Sequence, residues 1–429
     1  MNISEATWLY VSRHATDDVC QLALQGSKDS EVDMTMALQL IEGRQTARHK
    51  LPSWAAVERI VYPPHLSMEQ CSSEATALYK ERLVSDLFFA CQDAAESLFI
   101  DLTGGLGVDI SFMSRRFSRA VYVEQQAGLC AIATENFKTL GLDVTTVCSD
   151  ASDYLRQMDH ATLIYLDPAR RDSRGARTFG IADCTPNVLL LLDELLQKAD
   201  YVLLKLSPML DWRKAMSDVG LQHVEQVHIL SVDNECKELL LLLSAQGSSS
   251  PQLFCVNNEQ LETFRLDEPS PYPSRLSSTT SRPSSTTPHA SFSPSRPSSL
   301  PSSLIPLPSL LFLYEPNASL MKAGMFDELA VRYGVMPLST NSHLFTSAER
   351  VEGFPGRSFE VVDVSTMNKN DLKAKVLPLR QANIAVRNFP LTVAELRKRL
   401  KLNEGGSNYL FATTLAQGER VLFVTRKLC

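Results

Sequence analysis

Acidic residues stand at or just beyond the ends of four successive apolar runs in the first half of this 429-residue chain. They are Asp101, Glu124, Asp150 and Asp167. Ligands of doubly wound sheets bind outside the carboxyl ends of the strands, so these residues are expected to face one site. At the second run a carboxylate can accept two hydrogen bonds from ribose hydroxyls, and at the third it can accept one from an adenine amino group. Each acid alone could be a helix cap or a surface residue, but their regular succession favours a common binding site.

A glycine-rich turn follows the first of these acids. Gly104, Gly105 and Gly107 come shortly after Asp101, and glycine there permits a tight turn and a close approach of a ligand to the backbone. A nicotinamide-binding loop would need a further glycine at the position that Ile110 occupies. The turn alone therefore leaves both a ligand site and a plain glycine turn open.

The apolar runs that carry the acids alternate with helical patterns. This alternation predicts parallel βαβ units and a doubly wound, Rossmann-like α/β sheet. The last two runs are joined by residues 233–236 alone, which is too short for a helical crossover, so these two strands are expected to pair antiparallel. The predicted strands are Leu98–Leu102, Ala120–Glu124, Val144–Cys148, Thr162–Asp167, Tyr201–Leu206, His223–Val232 and Glu238–Ser244.

Changes in composition divide the chain into several parts. A chain of this length exceeds a single hydrophobic core, so two or three domains are expected. Ten of the 22 prolines and no acidic residue fall in one Ser- and Thr-rich stretch, which predicts a disordered insertion there. The expected parts are a helical region (1–97), the sheet domain (98–245), a connecting α/β region (246–268 and 309–357), the disordered insertion (269–308) and a smaller α/β domain (358–429).

Charge is distributed unevenly along the chain. The net charge is −7, yet residues 371–429 hold 11 Lys and Arg against 4 Asp and Glu. This basic end could hold an anionic polymer, or it could be no more than a solvated basic face. The nine cysteines are scattered without close pairs, which argues against a zinc site and a disulfide framework. The chain has no apolar run of membrane-spanning length and no secretory signal, so a cytoplasmic location is expected.

The ordered set of acids and glycines resembles the class I S-adenosylmethionine-dependent methyltransferases over residues 67–245. The resemblance implies that Asp101, with the glycines after it, contacts the methionine part of the methyl donor. It implies that Glu124 binds the ribose and Asp150 the adenine. A helix carrying Ser72 precedes the first strand, as a cofactor-covering helix does in many members, so Ser72 is expected to contact the donor. Asp167-Pro168-Ala169-Arg170 occupies the family's fourth motif, at the catalytic face.

This fourth motif departs from the Asn/Asp-Pro-Pro-aromatic pattern of enzymes that methylate base nitrogens, since alanine and arginine replace the second proline and the aromatic ring. It also resembles the motif of uracil-C5 methyltransferases, but the cysteine nucleophile those enzymes need is replaced by Ser207. Transfer to nitrogen needs only placement and an acceptor for the amine, so Asp167 is the expected acceptor. Arg170 is expected either to position a phosphate or to pair with a nearby acid. Phe179 could stack on a base or be a core residue.

The C-terminal part resembles the THUMP-like domain of a group of bacterial proteins assigned as RNA methyltransferases. The residues that carry this resemblance are Tyr314-Glu-Pro-Asn317 and Gln381-Ala-Asn-Ile-Ala-Val-Arg387-Asn-Phe-Pro390. THUMP domains bind structured RNA, so the resemblance implies an RNA base N-methyltransferase. Two other hypotheses stay open: a non-catalytic RNA-binding or scaffold protein that retains the fold, and a methyltransferase acting on a protein or small molecule.

Overall fold

The structure is a computed structural model that describes residues 3–89, 96–170, 180–267, 311–339 and 341–428. It divides the chain into two compact units, Met1–Asp267 and Glu268–Cys429. The expected disordered insertion, residues 269–308, lies outside the described residues. Within the described ranges, no helix has both the length and the apolar character needed to cross a lipid bilayer.

Among the described residues, six helices precede the first strand of the first unit. The side chains of Ser4, Asp18 and Asp33 each accept a hydrogen bond from a backbone N–H in the first turn of a helix, and so satisfy donors that the helix itself cannot. The apolar faces of these helices, with Leu40 and Trp54 fully buried, pack into one core cluster together with side chains of the sheet region. The helices are α1 (Glu5–Arg13), α2 (Val19–Gln25), α3 (Met34–Lys50), α4 (Pro52–Ala55), α5 (His65–Gln70) and α6 (Glu74–Phe89).

The rest of the first unit alternates strands and helices. The strands of its large sheet are β1 (Leu98–Asp101), β2 (Arg119–Glu124), β3 (Thr145–Cys148), β4 (Ala161–Leu166), β7 (Ala199–Leu206), β8 (Val224–Val232), β9 (Glu235–Leu243), β10 (Gln252–Asn257) and β11 (Gln260–Arg265), and a separate two-stranded ribbon is formed by β5 (Ala169–Arg170) and β6 (Cys184–Thr185). The helices are α7 (Val108–Met113), α8 (Ala127–Thr139), α9 (Ala151–Gln157), α10 (Val188–Lys198) and α11 (Trp212–Val219).

The large sheet has nine strands in the order β11-β10-β8-β9-β7-β4-β1-β2-β3. Neighbours from β3 to β7 pair parallel, whereas β9 pairs antiparallel with both β7 and β8. The predicted Rossmann-like sheet and its antiparallel last pair are therefore confirmed. Residues 239–243 of β9 are five consecutive leucines, all fully buried, as expected for a strand covered on both faces.

The second unit is built on a seven-stranded sheet in the order β13-β14-β12-β15-β18-β17-β16. Two separate clusters of apolar side chains form its core, one centred on Leu396 and Leu410 and the other on Phe359 and Phe411. The strands are β12 (Phe312–Pro316), β13 (Met336–Pro337), β14 (Phe345–Ser347), β15 (Gly356–Thr366), β16 (Asn383–Arg387), β17 (Asn408–Thr414) and β18 (Arg420–Lys427), and the helices are α12 (Ala318–Ala323), α13 (Phe326–Tyr333), α14 (Lys369–Asp371) and α15 (Val393–Leu400).

The stretch expected to be one connecting region is divided between the two sheets. Strands β10 and β11 extend the first sheet as a hairpin beside β8. Strand β12 instead pairs antiparallel with β14 and β15 in the second sheet. Residues on either side of the Ser/Pro-rich stretch therefore belong to different units, because each part finds its hydrogen-bond partners in the sheet nearest to it in sequence.

Candidate active site

Three of the four predicted acids stand at the carboxyl ends of adjacent parallel strands. Asp101 ends β1, Glu124 ends β2, and Asp167 follows β4 directly. Thr103 links two of these strand ends: its backbone N–H donates to Asp101 Oδ1 at 3.0 Å, and its Oγ1 accepts from the backbone N–H of Asp167 at 2.6 Å. The turn after β1 therefore links Asp101 to the backbone of Asp167 through one threonine.

The glycine turn lies against aromatic side chains that leave no room for a larger residue. A Cβ at Gly104 would approach the Tyr122 ring to 2.2 Å, and one at Gly107 would approach the Phe137 ring to 2.7 Å. Gly107 also has φ +84°, a left-handed conformation that favours glycine, where α7 begins. Glycine is thus required at both positions by the local packing, whatever else the turn binds.

Glu124 is tied to this turn from the neighbouring strand. Its Oε2 accepts from the backbone N–H of Gly105 at 3.1 Å, and its Oε1 accepts from the N–H of Gln126 at 2.9 Å. A carboxylate oxygen can accept a second hydrogen bond, so this arrangement fixes the carboxylate and leaves it able to accept from a ligand's hydroxyls. The geometry is compatible with the predicted ribose contact, which stays a prediction.

Asp150 has a local role in the structure. It caps the N-terminus of α9, where its Oδ1 accepts from the backbone N–H groups of Ser152 at 2.8 Å and Asp153 at 3.2 Å, and its side chain is exposed. N-cap aspartates of this kind commonly stabilise a helix by about 1 kcal/mol. The predicted adenine contact stays a prediction beside this helix-capping role.

Ser72 lies just before α6 and is buried in a cluster of charged side chains. Its hydroxyl is 2.8 Å from Asp109 Oδ2 and 3.2 Å from Glu238 Oε1, and it accepts from Lys80 Nζ at 3.0 Å. The predicted contact of Ser72 with the donor stays a prediction. In the structure the hydroxyl instead helps to satisfy buried charges.

The charged cluster joins three elements: Lys80 on α6, Asp109 on α7 and Glu238 on β9. Lys80 Nζ is 2.9 Å from Asp109 Oδ1 and 2.7 Å from Glu238 Oε2, and Lys80 is fully buried. Tyr165 adds a hydroxyl that donates to Asp109 Oδ2 at 2.7 Å. This cluster was not predicted from the sequence, although a lysine on the apolar face of a helix and a glutamate before a leucine run were visible signals.

Asp167 contacts a second buried lysine, Lys205, near the end of β7. Lys205 Nζ is 2.5 Å from Asp167 Oδ2 and 4.0 Å from Glu238 Oε1. Pro168 is buried, and the next two residues pair with β6 in the short ribbon, which places the Arg170 backbone beside the site. The Arg170 side chain and the whole of Phe179 lie outside the described residues.

Several buried acids lie close together at this end of the sheet, and their surroundings shift their pKa values. Burial raises the pKa of Asp101 well above its ordinary value, and the neighbouring Asp109, Asp167 and Glu124 raise it further, against the hydrogen bond from Thr103. For Asp109, burial opposes ionisation, but Lys80 and Lys205 outweigh it and lower its pKa to about 2. The acids around Asp101 therefore disfavour its ionisation, and a cation placed beside it would favour the carboxylate form.

Comparison with known proteins places the whole chain in a family. The crystal structure of a Porphyromonas gingivalis W83 protein described as a "putative methyltransferase" is 30% identical to this chain, covers 100% of both chains and superimposes with a TM-score of 0.79. A structure from Listeria monocytogenes with the same qualifier, described as a class I S-adenosylmethionine-dependent methyltransferase, is 11% identical, covers 60% of this chain and 94% of its own, and has a TM-score of 0.38. With an identity and a TM-score this low, the second match assigns neither a family nor a function. No curated protein matches the chain in sequence.

Two family models match the second unit. One, described as a ferredoxin-like domain, matches residues 312–355, and the other, described as THUMP domain-like, matches residues 356–427. The two matches together span the seven-stranded sheet, from β12 to β18. With the full-length match to the Porphyromonas gingivalis protein, they show that the chain belongs to the same methyltransferase family as that protein and carries a C-terminal THUMP-like domain.

Proposed function

We propose that the protein transfers a methyl group from S-adenosylmethionine to a nitrogen atom of an RNA base. The observation that supports this most is the placement of Asp101, Glu124 and Asp167 at the carboxyl ends of three adjacent parallel strands, around a glycine turn. In doubly wound sheets this edge is where ligands bind. Three oriented carboxylates there provide acceptors for a donor and for a target amine.

The residues of the site fit the proposed donor. S-adenosylmethionine, when bound, supplies a methyl group on a positively charged sulfur, and its amino group is a second cation. Asp101 and the amides of the glycine turn would face its methionine part, Glu124 its ribose and Asp150 its adenine. The raised pKa of Asp101 reflects burial beside other acids, and a cationic ligand relieves that repulsion. Glu124, held by two backbone N–H groups, is already oriented for hydroxyl donors.

Asp167 would act on the methyl acceptor. Its carboxylate accepts a hydrogen bond from the target amine, which orients the nitrogen lone pair towards the methyl carbon and increases its electron density. The nitrogen–carbon bond forms as the carbon–sulfur bond breaks with its electron pair on sulfur, and Asp167 receives or relays the amine proton. Arg170, the last residue of the Asp167-Pro168-Ala169-Arg170 motif, lies on β5 and is proposed to contact a phosphate of the RNA.

RNA recognition is assigned to the second unit in this proposal. Lys398, Arg399 and Lys401 are exposed on and after α15, where they could meet phosphates. Arg397, on the same helix, donates to the Ala382 carbonyl at 3.1 Å and is mostly covered. The exposed basic surface of this helix is therefore smaller than the sequence of four basic residues indicates.

The donor site is tested by calorimetry with S-adenosylmethionine and its demethylated product. We expect micromolar affinity for both. Glu124→Ala should weaken both about tenfold or more, since each charge-assisted hydrogen bond contributes ~1.5–3 kcal/mol. Glu135→Ala, on the exposed face of α8, is the matched control and should bind normally. Absence of binding to well-folded wild-type protein would reject the donor site.

The reaction is tested by mass spectrometry of nucleosides from a strain that lacks the gene, and by transfer of labelled methyl groups to its RNA. Asp167→Asn keeps the shape of the side chain but weakens the acceptor, so turnover should fall by ~10²-fold or more. Donor affinity should change little. If the wild type binds both ligands but methylates no cellular RNA, the scaffold hypothesis is the better one; if Asp167→Asn turns over normally, Asp167 is not the acceptor.

A further inference from the structure

Lys205 is a lysine inside an apolar strand, and its position calls for an explanation. It lies on β7 between buried leucines, with only 10% of its side chain exposed. Burying an ammonium group is costly unless it is paired. Its pairing is asymmetric, because Asp167 Oδ2 is 2.5 Å away and Glu238 Oε1 is 4.0 Å away. The closest partner of the buried cation is thus the acid at the proposed catalytic position.

Lys205 lies between Asp167 and the buried cluster of Glu238, Lys80 and Asp109. Glu238 is held by Lys80, which also contacts Asp109, so the far side of the network cannot move without disturbing three elements of the fold. Exposure differs sharply along the network: side chains of Glu238 and Asp109 are 4% and 9% exposed, whereas that of Asp167 is 38% exposed. Of the three acids, Asp167 is the one that can reach a substrate.

We propose that Lys205 is a positioning residue for methyl transfer: it holds Asp167 ionised and occupies Oδ2, so that Oδ1 is presented to the target amine. This inference rests on the proposed function. Within the described parts of the chain, Oδ1 of Asp167 makes no hydrogen bond, while the backbone N–H of the residue is fixed by Thr103 at 2.6 Å. One oxygen is therefore restrained and the other is available.

The electrostatic surroundings explain why Asp167 needs this cation. Burial raises the pKa of Asp167, and the Lys205 ammonium lowers it more than any other group does. Asp109 raises this pKa further and Lys80 lowers it, and the net shift is upward. Asp167 in turn raises the pKa of Asp101, after burial, which has the largest effect there. For Lys205, burial opposes the charged form, but Asp167, Glu238 and Asp109 raise its pKa above the ordinary value. Burial and, to a smaller extent, Lys205 lower the pKa of Lys50 on α3. Without the Lys205 ammonium, Asp167 would hold its proton to a higher pH.

A protonated Asp167 would be a poor acceptor for the amine. The acidic limb of the pH–activity profile should therefore report the ionisation of Asp167. Replacing Lys205 by an uncharged residue removes the main influence that favours the carboxylate, so the limb should move to higher pH. A purely structural role of Lys205 would lower activity at every pH by the same factor and leave the limb in place.

The test compares full-length wild type, Lys205→Met and Lys205→Arg, with Lys138→Met as the control, since Lys138 is also ion-paired but lies exposed on α8. The substrates are S-adenosylmethionine and total RNA from a strain lacking the gene, between pH 5 and 9. We expect Lys205→Met to lower kcat by ~10²-fold at pH 7, with little change in KM for the donor. The same variant should move the acidic limb of the pH–activity profile to higher pH by about one pH unit or more. Lys205→Arg, which keeps the positive charge, should retain most of the wild-type activity. An unmoved limb, or normal turnover of Lys205→Met, overturns the proposal.

A measurement without turnover separates this inference from the proposed function. Carboxyl titration by NMR with ¹³C-labelled aspartate, assigned through Asp167→Asn, should place the Asp167 midpoint higher in Lys205→Met than in wild type. If the protein methylates no RNA but this shift is seen, the reaction is wrong while the electrostatic role of Lys205 holds. If the midpoint is unchanged, Lys205 does not control Asp167. Should Lys205→Met fail to fold, Lys205→Gln serves in the same titration. In the double variant Asp167→Asn/Lys205→Gln, kcat should fall no further than in Asp167→Asn, because Lys205 acts through Asp167.

Discussion

Both units of the molecule bury a carboxylate between two cations, but they do so differently. In the first unit, Glu238 lies between Lys80 and Lys205, and all three side chains are at most 10% exposed. In the second unit, Glu315 on β12 is 2% exposed, but its partners Arg357 and Arg387 are each 36% exposed. The same charge pattern is thus closed to water in one unit and partly open in the other.

The difference indicates two uses of an ion pair. A closed cluster leaves each charge dependent on its partners, so it fixes the relative positions of the elements that contribute them. An open cluster keeps part of each cation in water, where it tolerates the loss of a partner and remains accessible to anions. In the first unit the cluster restrains Asp167, the proposed acceptor, whereas in the second it leaves two guanidinium groups partly at the surface.

The largest expected effect is on stability of the first unit. Lys80→Met leaves Asp109 and Glu238 buried without their main cation, and breaking a buried pair in this way costs about 3–5 kcal/mol. All three tryptophans (8, 54 and 212) belong to the first unit, so tryptophan fluorescence during urea unfolding reports on it selectively. Lys138→Met on exposed α8 should cost no more than ~0.5 kcal/mol. Similar losses for the two variants would mean that the cluster is not closed.

The next largest effect is a loss of folding stability at acidic pH. His228 is fully buried against Tyr79 and Phe254, and burial lowers its pKa to about 3. The unfolded chain binds a proton at this residue below about pH 6.5 and the folded chain does not, so stability falls as pH drops below that value. At pH 5 the loss is about 2 kcal/mol.

Urea unfolding of the first unit at pH 7 and pH 5, followed by tryptophan fluorescence, measures this slope. His228→Gln should flatten the difference between the two pH values, whatever its effect on stability at pH 7. His65→Gln, in which an exposed histidine is replaced, should keep the wild-type slope. An unchanged slope in His228→Gln would place the acid sensitivity elsewhere.

A smaller effect is expected in the second unit. Glu315→Gln removes the carboxylate that accepts from Arg357 Nε at 2.7 Å and from Arg387 Nη2 at 2.6 Å. Because both arginines reach water, the loss should be about 1–2 kcal/mol, less than for Lys80→Met. Amide hydrogen exchange of β12 and β15 measures it locally. A loss as large as that of Lys80→Met would show that the open cluster behaves as a closed one.

The smallest effect concerns the basic helix. Neutralising Lys398, Arg399 and Lys401 together should flatten the dependence of RNA affinity on salt, since each lost phosphate contact lowers the slope of log affinity against log salt by ~0.7–0.9. Arg397→Gln should change the slope little, because that side chain binds the Ala382 carbonyl and is mostly covered. Filter binding at several salt concentrations measures both. An unchanged slope in the triple variant would mean that this face is only solvated.

The fold was largely predictable because its signals are local. Strand–helix alternation gave the parallel sheet, and the short link between β8 and β9 gave the antiparallel pair. The strand-end positions of Asp101, Glu124 and Asp167 were also visible, because the end of an apolar run is visible in the sequence. The capping box of Thr392 and Glu395 at α15 is present as its spacing predicts.

The charged cluster was not predictable in the same way. Lys80, Asp109 and Glu238 are far apart in sequence and meet only because α6 packs on α7 and over the sheet. No local pattern indicates which cation will face which acid. Arg397 is a second example: helical spacing places it beside Lys401 and Lys398, but its side chain donates to a backbone carbonyl of the loop before β16. Tertiary partners decide such orientations.

The hairpin of β10 and β11 determines which strand forms one edge of the first sheet. Without it, β8 would be the outer strand of the sheet, and its buried Val227, Ile229 and Leu230 would stand beside unpaired backbone groups. Such an edge is a template for pairing with another molecule. The outer strand is instead β11, which carries Glu262 and Arg265, and the opposite edge is the four-residue β3. The hairpin thus covers the backbone edge of β8 and leaves a strand with charged side chains at this edge of the sheet.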